Sequence, residues 1–157
     1  MSARLHHAVR NAALPPPLQP PEPGAALLTS RDAIADESHI LVIGKDGLDL
    51  MCALLRAGAA QVTHLCSHER PEADSASMAI VPNVPSPDWL ASALPAIRRA
   101  LHANGCLVLS VPLQPAIQRT VRRILVLNGF AAIRARTIGG RCIIHSELPT
   151  FGLRRCA

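Results

Sequence analysis

Short apolar runs alternate with segments of helical periodicity from residue 38 to residue 147, and this alternation is the feature that most constrains the fold. The run at 39–44 (HILVIG) is apolar without interruption, which is typical of a parallel strand buried on both faces. Because strands that alternate with helices build a parallel sheet with helices on both faces, the pattern predicts an α/β sandwich. Further strand-like runs lie at 61–66, 78–84 and 106–111, and helical patterns lie at 48–59, 88–104 and 114–127.

The boundaries of the second helix carry conflicting signals. Ser86-Pro87-Asp88 predicts its start, because a capping hydroxyl, a proline at the first helical position and an acid in the first turn are all favourable there. Asn104-Gly105 predicts its end. Pro95 lies inside the pattern and predicts either a kink or a start nearer Ser92, since proline removes a helical hydrogen bond.

The C-terminal part of the chain predicts a β-hairpin. Residues 130–138 and 141–145 are strand-like and flank Gly139-Gly140, a step that adopts positive φ without a steric penalty. The hairpin would add one antiparallel strand to the sheet. The loops at 44–48, 66–76 and 82–87 would then lie at the carboxyl edge of the strands, where doubly wound folds bind ligands.

The N-terminal segment differs from the rest of the chain. Six prolines lie within positions 15–23, and proline lacks the backbone donor that helices and sheets need. We expect residues 1–37 to form a disordered tail, with a targeting or docking segment as the alternative, and residues 38–157 to form one α/β domain. No apolar run approaches the roughly 18 residues of a transmembrane helix. The five cysteines lack Cys-x-x-Cys spacing and indicate reduced thiols, so we expect a cytoplasmic protein.

Three segments of the second half carry a family resemblance. They are ALPAIRRALHANGCLVLSVP (93–112), LNGFAAIRARTIGGR (127–141) and AIVPNVPSPDWL (79–90). Residues 38–147 resemble the class I S-adenosylmethionine-dependent methyltransferases through these segments. The resemblance implies a Rossmann-like three-layer sandwich with a mostly parallel sheet and a C-terminal antiparallel hairpin. It also implies S-adenosylmethionine as the cofactor.

The cofactor segments depart from the family pattern. VIGKDGLDL (42–50) occupies the place of the glycine-rich turn but breaks its usual spacing, and Cys66-Ser67 stands where the family places an acid for the ribose hydroxyls. Glu69 lies three residues late; it could reach over, or it could be a solvated loop charge. Carried over by position, the cofactor-binding residues would be Gly44, Lys45, Asp46, Gly47, Cys66, Ser67 and Asn83.

A deletion makes the third departure. Eleven residues separate Cys66 from Met78, and they include Pro71. The family normally places a helix and a strand there, and so short a segment cannot supply both. Two functions from different classes follow. The first is a non-catalytic binding or assembly module with an eroded cofactor site, and the second is a small S-adenosylmethionine-dependent methyltransferase for which the sequence provides no recognisable catalytic base.

Charge is distributed unevenly between the two parts of the chain. Residues 1–97 hold six cations and ten acids, a net charge of −4, whereas residues 98–157 hold ten arginines and one acid, a net charge of +9. Such a basic half attracts polyanions, and Arg119, Arg122 and Arg123 are expected to share the outer face of their helix. The partners would be a nucleic acid or an acidic protein, and the alternative is a solvated surface.

Two further interpretations concern the strand at 61–66. His64, Cys66 and His68 alternate and would share one face, as zinc ligands can, but tetrahedral ligands must converge and those along one strand do not. We therefore predict no metal site, with His64 and Cys66 packed against the protein. The same strand would leave an exposed edge, through which a homodimer could form.

Overall fold

The computed structural model describes residues 39–45, 47–66 and 69–150. The tail predicted at 1–37 lies outside these residues. Six strands and three helices follow each other in the chain. They are β1 (His39–Ile43), α1 (Gly47–Arg56), β2 (Gln61–Leu65), β3 (Ala76–Val81), α2 (Pro87–Ala100), β4 (Leu101–Pro112), α3 (Pro115–Leu127), β5 (Ala131–Ile138) and β6 (Arg141–Glu147).

All six strands form one sheet in the order β2-β1-β3-β4-β6-β5. The pairs β1–β2, β1–β3 and β3–β4 are parallel, whereas β6 is antiparallel to both β4 and β5. The mostly parallel sheet with a C-terminal antiparallel hairpin is therefore confirmed. Gly139 and Gly140 both have positive φ in the hairpin turn, as their sequence predicts.

Each face of the sheet carries its own apolar core. On one face, Leu50 and Leu54 of α1 pack with Ile40, Val42 and Ile80. On the other face, α2 and α3 cover the sheet through buried residues of both helices, which are Leu90, Leu94, Ile97, Val121 and Leu125. The three layers follow from the period of each segment, because every helix buries one stripe and every central strand buries both sides.

Helix α2 begins where the sequence predicts and ends earlier. The hydroxyl of Ser86 accepts a 3.1 Å hydrogen bond from the N–H of Trp89, and the helix passes through Pro95, which is exposed, so water can reach the carbonyl that proline leaves without a donor. The end predicted at Asn104-Gly105 is wrong. Leu101 already adopts an extended conformation and is buried, so the chain enters β4 there.

Asn104 instead marks an irregularity within β4. Its φ is +64°, its N–H bonds to the carbonyl of Leu148 at 2.8 Å, and the N–H of Leu148 bonds to the carbonyl of Gly105 at 2.9 Å. An Asn-Gly step supplies the same left-handed backbone at a strand irregularity as at a helix end. Local sequence therefore could not distinguish the two uses.

The connection from β2 to β3 is short, and β2 is an edge strand. It pairs with β1 alone, and the described residues between β2 and β3, Cys66 and Glu69–Ser75, hold neither helix nor strand. The family's additional strand is thus missing from the order of the sheet. The homodimer through this edge stays a prediction. None of the helices described is both long and apolar enough to cross a membrane.

Candidate functional site

The turn between β1 and α1 lies at the carboxyl edge of the sheet. Gly44 has a φ of +127°, and a Cβ added to it would meet nothing within 4 Å. Lys45 is exposed, and Asp46 lies outside the described residues. At Gly44 the turn therefore has the conformation and the open space that close approach of a ligand needs.

Contacts within the chain explain why residue 47 is a glycine. A Cβ there would lie 2.6 Å from Nε2 of His64 and 2.9 Å from Cγ1 of Val42. The same Nε2 donates a 2.6 Å hydrogen bond to the carbonyl of Gly44. The imidazole thus occupies the space beneath the turn and holds the turn against β2.

A carboxylate lies at the end of β2, although none stands there in sequence. Oε2 of Glu69 accepts a 3.0 Å hydrogen bond from the N–H of Cys66, and the N–H of Glu69 donates to the carbonyl of Cys66 at 3.0 Å. The side chain of Glu69 is exposed, as a solvated loop charge is, and it also reaches back to the end of β2. Cys66 is exposed, so its predicted packing is wrong; a side chain beyond the last residue of an edge strand has no neighbour to cover it. Ser67 lies outside the described residues.

A cleft of about 420 Å³ opens beside this carboxylate on the α2 side of the sheet. Its volume is that of a small-molecule site, and its lining is mostly apolar. Of the described residues predicted to bind a cofactor, Cys66 lines it, whereas Gly44, Lys45, Gly47 and Asn83 do not. The principal lining side chains are Ile43, Leu65, Glu69, Pro71, Trp89 and Ala93.

Asn83 lies in a second part of the carboxyl edge and is bonded to the hairpin. Its Oδ1 accepts a 2.8 Å hydrogen bond from Nη2 of Arg141. Nε of Arg141 donates to Oγ of Ser110 at 2.6 Å, and Nη2 also donates to the carbonyl of Ser110 at 3.2 Å. The structure thus joins the loop after β3, the end of β4 and the start of β6 through one guanidinium.

This arrangement was not predicted from the sequence. Arg141 counted there only as part of the basic half, and Ser110 was one residue of an apolar strand. Ser110 and Arg141 are 31 residues apart in sequence, and Asn83 and Arg141 are 58 residues apart. The available signal was a lone serine in an otherwise apolar buried run, because a buried hydroxyl needs a hydrogen-bond partner.

The basic half presents two separate arginine surfaces. Arg119, Arg122 and Arg123 are exposed on α3, as predicted. Arg134 and Arg136 are exposed on β5, where Arg134 is paired directly with His145 of β6. Burial, followed by the charges of Arg136 and Arg134, lowers the pKa of His145.

The remaining candidate groups are thiols and metal ligands. Cys52 and Cys66 are exposed, whereas burial raises the pKa of Cys106, where Glu147 adds to the effect, and that of Cys142. Within residues 39–45, 47–66 and 69–150, no group of His, Cys, Asp and Glu side chains could hold a metal ion. His68, the third member of the weighed zinc set, lies outside those residues.

Comparison with known proteins was informative at the level of structure. No family model and no curated protein matches this sequence. The tRNA (m1A58) methyltransferase TrmI of Aquifex aeolicus superposes with a TM-score of 0.64 at 11% identity, covering 80% of this chain and 68% of the enzyme. A methyltransferase of Bacillus halodurans, described as putative, gives 0.61 at 11% identity over 80% of this chain and 98% of its own.

A third similar structure was determined with a bound cofactor. The 16S rRNA N2 G1207 methyltransferase RsmC of T. thermophilus, in complex with AdoMet and guanosine, superposes with a TM-score of 0.56 at 15% identity. The match covers 82% of this chain and 39% of that protein, so it concerns one part of the larger enzyme. With the strand order above, these likenesses show that the chain has the fold of the class I S-adenosylmethionine-dependent methyltransferases.

Proposed function

We propose that this chain is a methyltransferase-like domain that acts as a non-catalytic binding or assembly module. The observation that carries the proposal is that Gly44, Lys45 and Gly47 of the β1–α1 turn do not line the cleft. The cleft lies on the α2 side of the sheet, whereas the turn is packed on the α1 side by His64 and Val42. A ligand in the cleft would meet Cys66, but Gly44, Lys45, Gly47 and Asn83 would not line its site.

One of the two glycines of the turn has no room beside it, although Gly44 is open. The space at Gly47 that a closely approaching ligand would need is taken by the imidazole of His64. The side chain of Asn83 is also engaged, because its carbonyl oxygen accepts a hydrogen bond from Arg141 of the hairpin. We therefore derive no methyl-transfer step for this chain.

A second function is favoured by one observation at β2. The carboxylate of Glu69 lies at the end of that strand and beside the cleft, where it could accept hydrogen bonds from ribose hydroxyls. On this proposal the chain is a small S-adenosylmethionine-dependent methyltransferase, with the nucleoside held by Glu69 and by the apolar cleft wall around Trp89.

Isothermal titration calorimetry of the full chain separates the two functions. The probes are S-adenosylmethionine and S-adenosylhomocysteine up to millimolar concentration, with thermal unfolding measured in parallel, since a ligand of the native state stabilises it by mass action. The binding-module proposal expects no saturable heat and no shift. Saturable binding that is lost in Glu69→Gln but kept in Glu72→Gln, a matched change in the same loop, would contradict an eroded cofactor site and support the second function.

We further propose that the module binds its partner through its basic surfaces. The first turn of α3 contains no acidic residue. The exposed arginines of this helix could therefore contact a nucleic acid or an acidic protein. Charge and exposure support this proposal, and the salt dependence of binding to nucleic acid tests it.

A further inference from the structure

The guanidinium of Arg141 is held in one position by neutral acceptors. Two of them belong to Ser110, whose side chain is completely buried, and the third is Oδ1 of Asn83. The carbonyl of Ser110 also accepts from the N–H of Val84 at 3.1 Å, which fixes the loop that carries Asn83. Three segments of the chain therefore determine where this cation lies.

The bonds that position Arg141 leave part of its binding capacity unused. They engage Nε and Nη2, whereas Nη1 has no partner among the residues that the structure describes. All three acceptors are uncharged, so the positive charge of this half-buried side chain is not neutralised by them. A guanidinium that is both fixed in place and uncompensated is preorganised for an anionic ligand.

A second cation lies next to Arg141 on the same face of the hairpin. Ile138 pairs directly with Arg141, so Arg136, two residues before Ile138, is the diagonal neighbour of Arg141 across the two strands. Arg136 is exposed and its side chain is long enough to approach an anion that Arg141 holds. Two guanidinium groups match the charge of a phosphate dianion better than that of a single carboxylate.

We propose that Arg141 binds a phosphate group at the carboxyl edge of the sheet, with Arg136 as the second contact. Ser110 and Asn83 act as positioning residues that keep the guanidinium in place. The phosphate belongs either to a small phosphorylated molecule or to the backbone of a nucleic acid. The proposal does not depend on whether the cleft beside β2 takes a nucleoside.

Nuclear magnetic resonance of the intact chain tests this proposal directly. The Nε–H signals of the arginine side chains are followed while inorganic phosphate replaces chloride at constant ionic strength, with acetate as a parallel titration. We expect the Arg141 signal to shift and saturate with phosphate and to respond less to acetate. Arg56, exposed on α1, should show a weak shift that does not saturate. If Arg56 and Arg141 respond alike to phosphate, the proposal is overturned.

Variants extend the test. Arg141→Gln should weaken phosphate binding about tenfold or more, the range for loss of a charge-assisted hydrogen bond, whereas the matched change Arg56→Gln on α1 should leave it unaltered. Ser110→Ala keeps the charge of Arg141 but removes an anchor, and it should weaken binding less. Unchanged phosphate binding by a folded Arg141→Gln would contradict the assignment. The titration of the unmodified chain decides the matter if this variant does not fold.

A short oligoribonucleotide distinguishes the two sources of phosphate. If the site takes a nucleic-acid backbone, a ten-nucleotide RNA should bind more tightly than inorganic phosphate and should lose this advantage in Arg141→Gln. If it takes a small phosphorylated molecule, RNA binding should be insensitive to Arg141 while phosphate binding is not. Because inorganic phosphate and acetate contain no nucleoside, the result is independent of the outcome with S-adenosylmethionine.

Discussion

In two regions of the carboxyl edge, side-chain hydrogen bonds hold separate segments of the chain together, but the two regions differ in what they leave available to a ligand. At the β1–α1 turn, the imidazole of His64 bonds to Gly44 and fills the space over Gly47, so that the turn is completed by the chain itself. At the β4–β6 corner, Ser110 and Asn83 hold Arg141 and leave its charge uncompensated. The first region resembles a cofactor site in sequence and is filled by the chain at Gly47 while it stays open at Gly44, whereas the second has no motif and holds a cation whose acceptors are all uncharged.

Among the substitutions that test this contrast, we expect the largest loss of stability from a change at Gly47. Gly47→Ala should lower the free energy of unfolding by about 1–3 kcal/mol, the usual effect of overpacking, because the new Cβ would overlap His64 and Val42. Urea unfolding of the full chain measures it. The same substitution made in a His64→Ala background should cost clearly less, since the main obstacle is gone. Equal costs in both backgrounds would show that His64 does not fill the turn.

Gly44→Ala should have a smaller effect with a different cause. The added Cβ meets nothing within 4 Å, but a φ of +127° is unfavourable for any residue with a side chain, so we expect a loss of about 1–2 kcal/mol. Unlike the effect at Gly47, this loss comes from the backbone and should be the same with or without the His64 ring. Urea unfolding of the two single variants and the double variant gives the comparison. A loss relieved by His64→Ala would assign Gly44 to the packing of the ring as well.

The contrast also explains what could be predicted from the sequence. The alternation of strands and helices and the cap at Ser86 depend on patterns that lie within a few residues of each other, and both were predicted correctly. Asn104-Gly105 was misinterpreted because its local signal is shared by helix ends and strand irregularities. Arg141 could not be assigned, since its partners lie in other segments and become neighbours only when the sheet forms.

The two arginine surfaces can be compared through the salt dependence of binding to a DNA duplex. Each phosphate contact contributes roughly 0.9 to the slope of log affinity against log salt. The triple change of Arg119, Arg122 and Arg123 to Gln should reduce this slope if α3 is the contact surface. The double change of Arg134 and Arg136 to Gln should reduce it if the hairpin is. Arg56→Gln, an exposed change on α1, is the control. No measurable binding at low salt would remove the polyanion proposal for both surfaces.

The smallest effect we predict is a pH dependence that originates at His145. Because burial and the charges of Arg136 and Arg134 lower the pKa of this imidazole in the folded chain, the unfolded chain takes up a proton first as the pH falls. The contribution of His145 to stability is therefore intact above its ordinary pKa near 6.5 and is lost as the pH falls through the lower, folded pKa. Thermal unfolding between pH 8 and pH 5 should show a decline in stability as the pH falls, and His145→Gln should reduce this decline.

A second measurement separates the arginine charges from burial. In the Arg134→Gln and Arg136→Gln double variant, nuclear magnetic resonance should show the pKa of His145 rising toward its ordinary value. A pKa unchanged by that double variant would mean that burial alone sets it, and the hairpin arginines would then exert no appreciable field on this face.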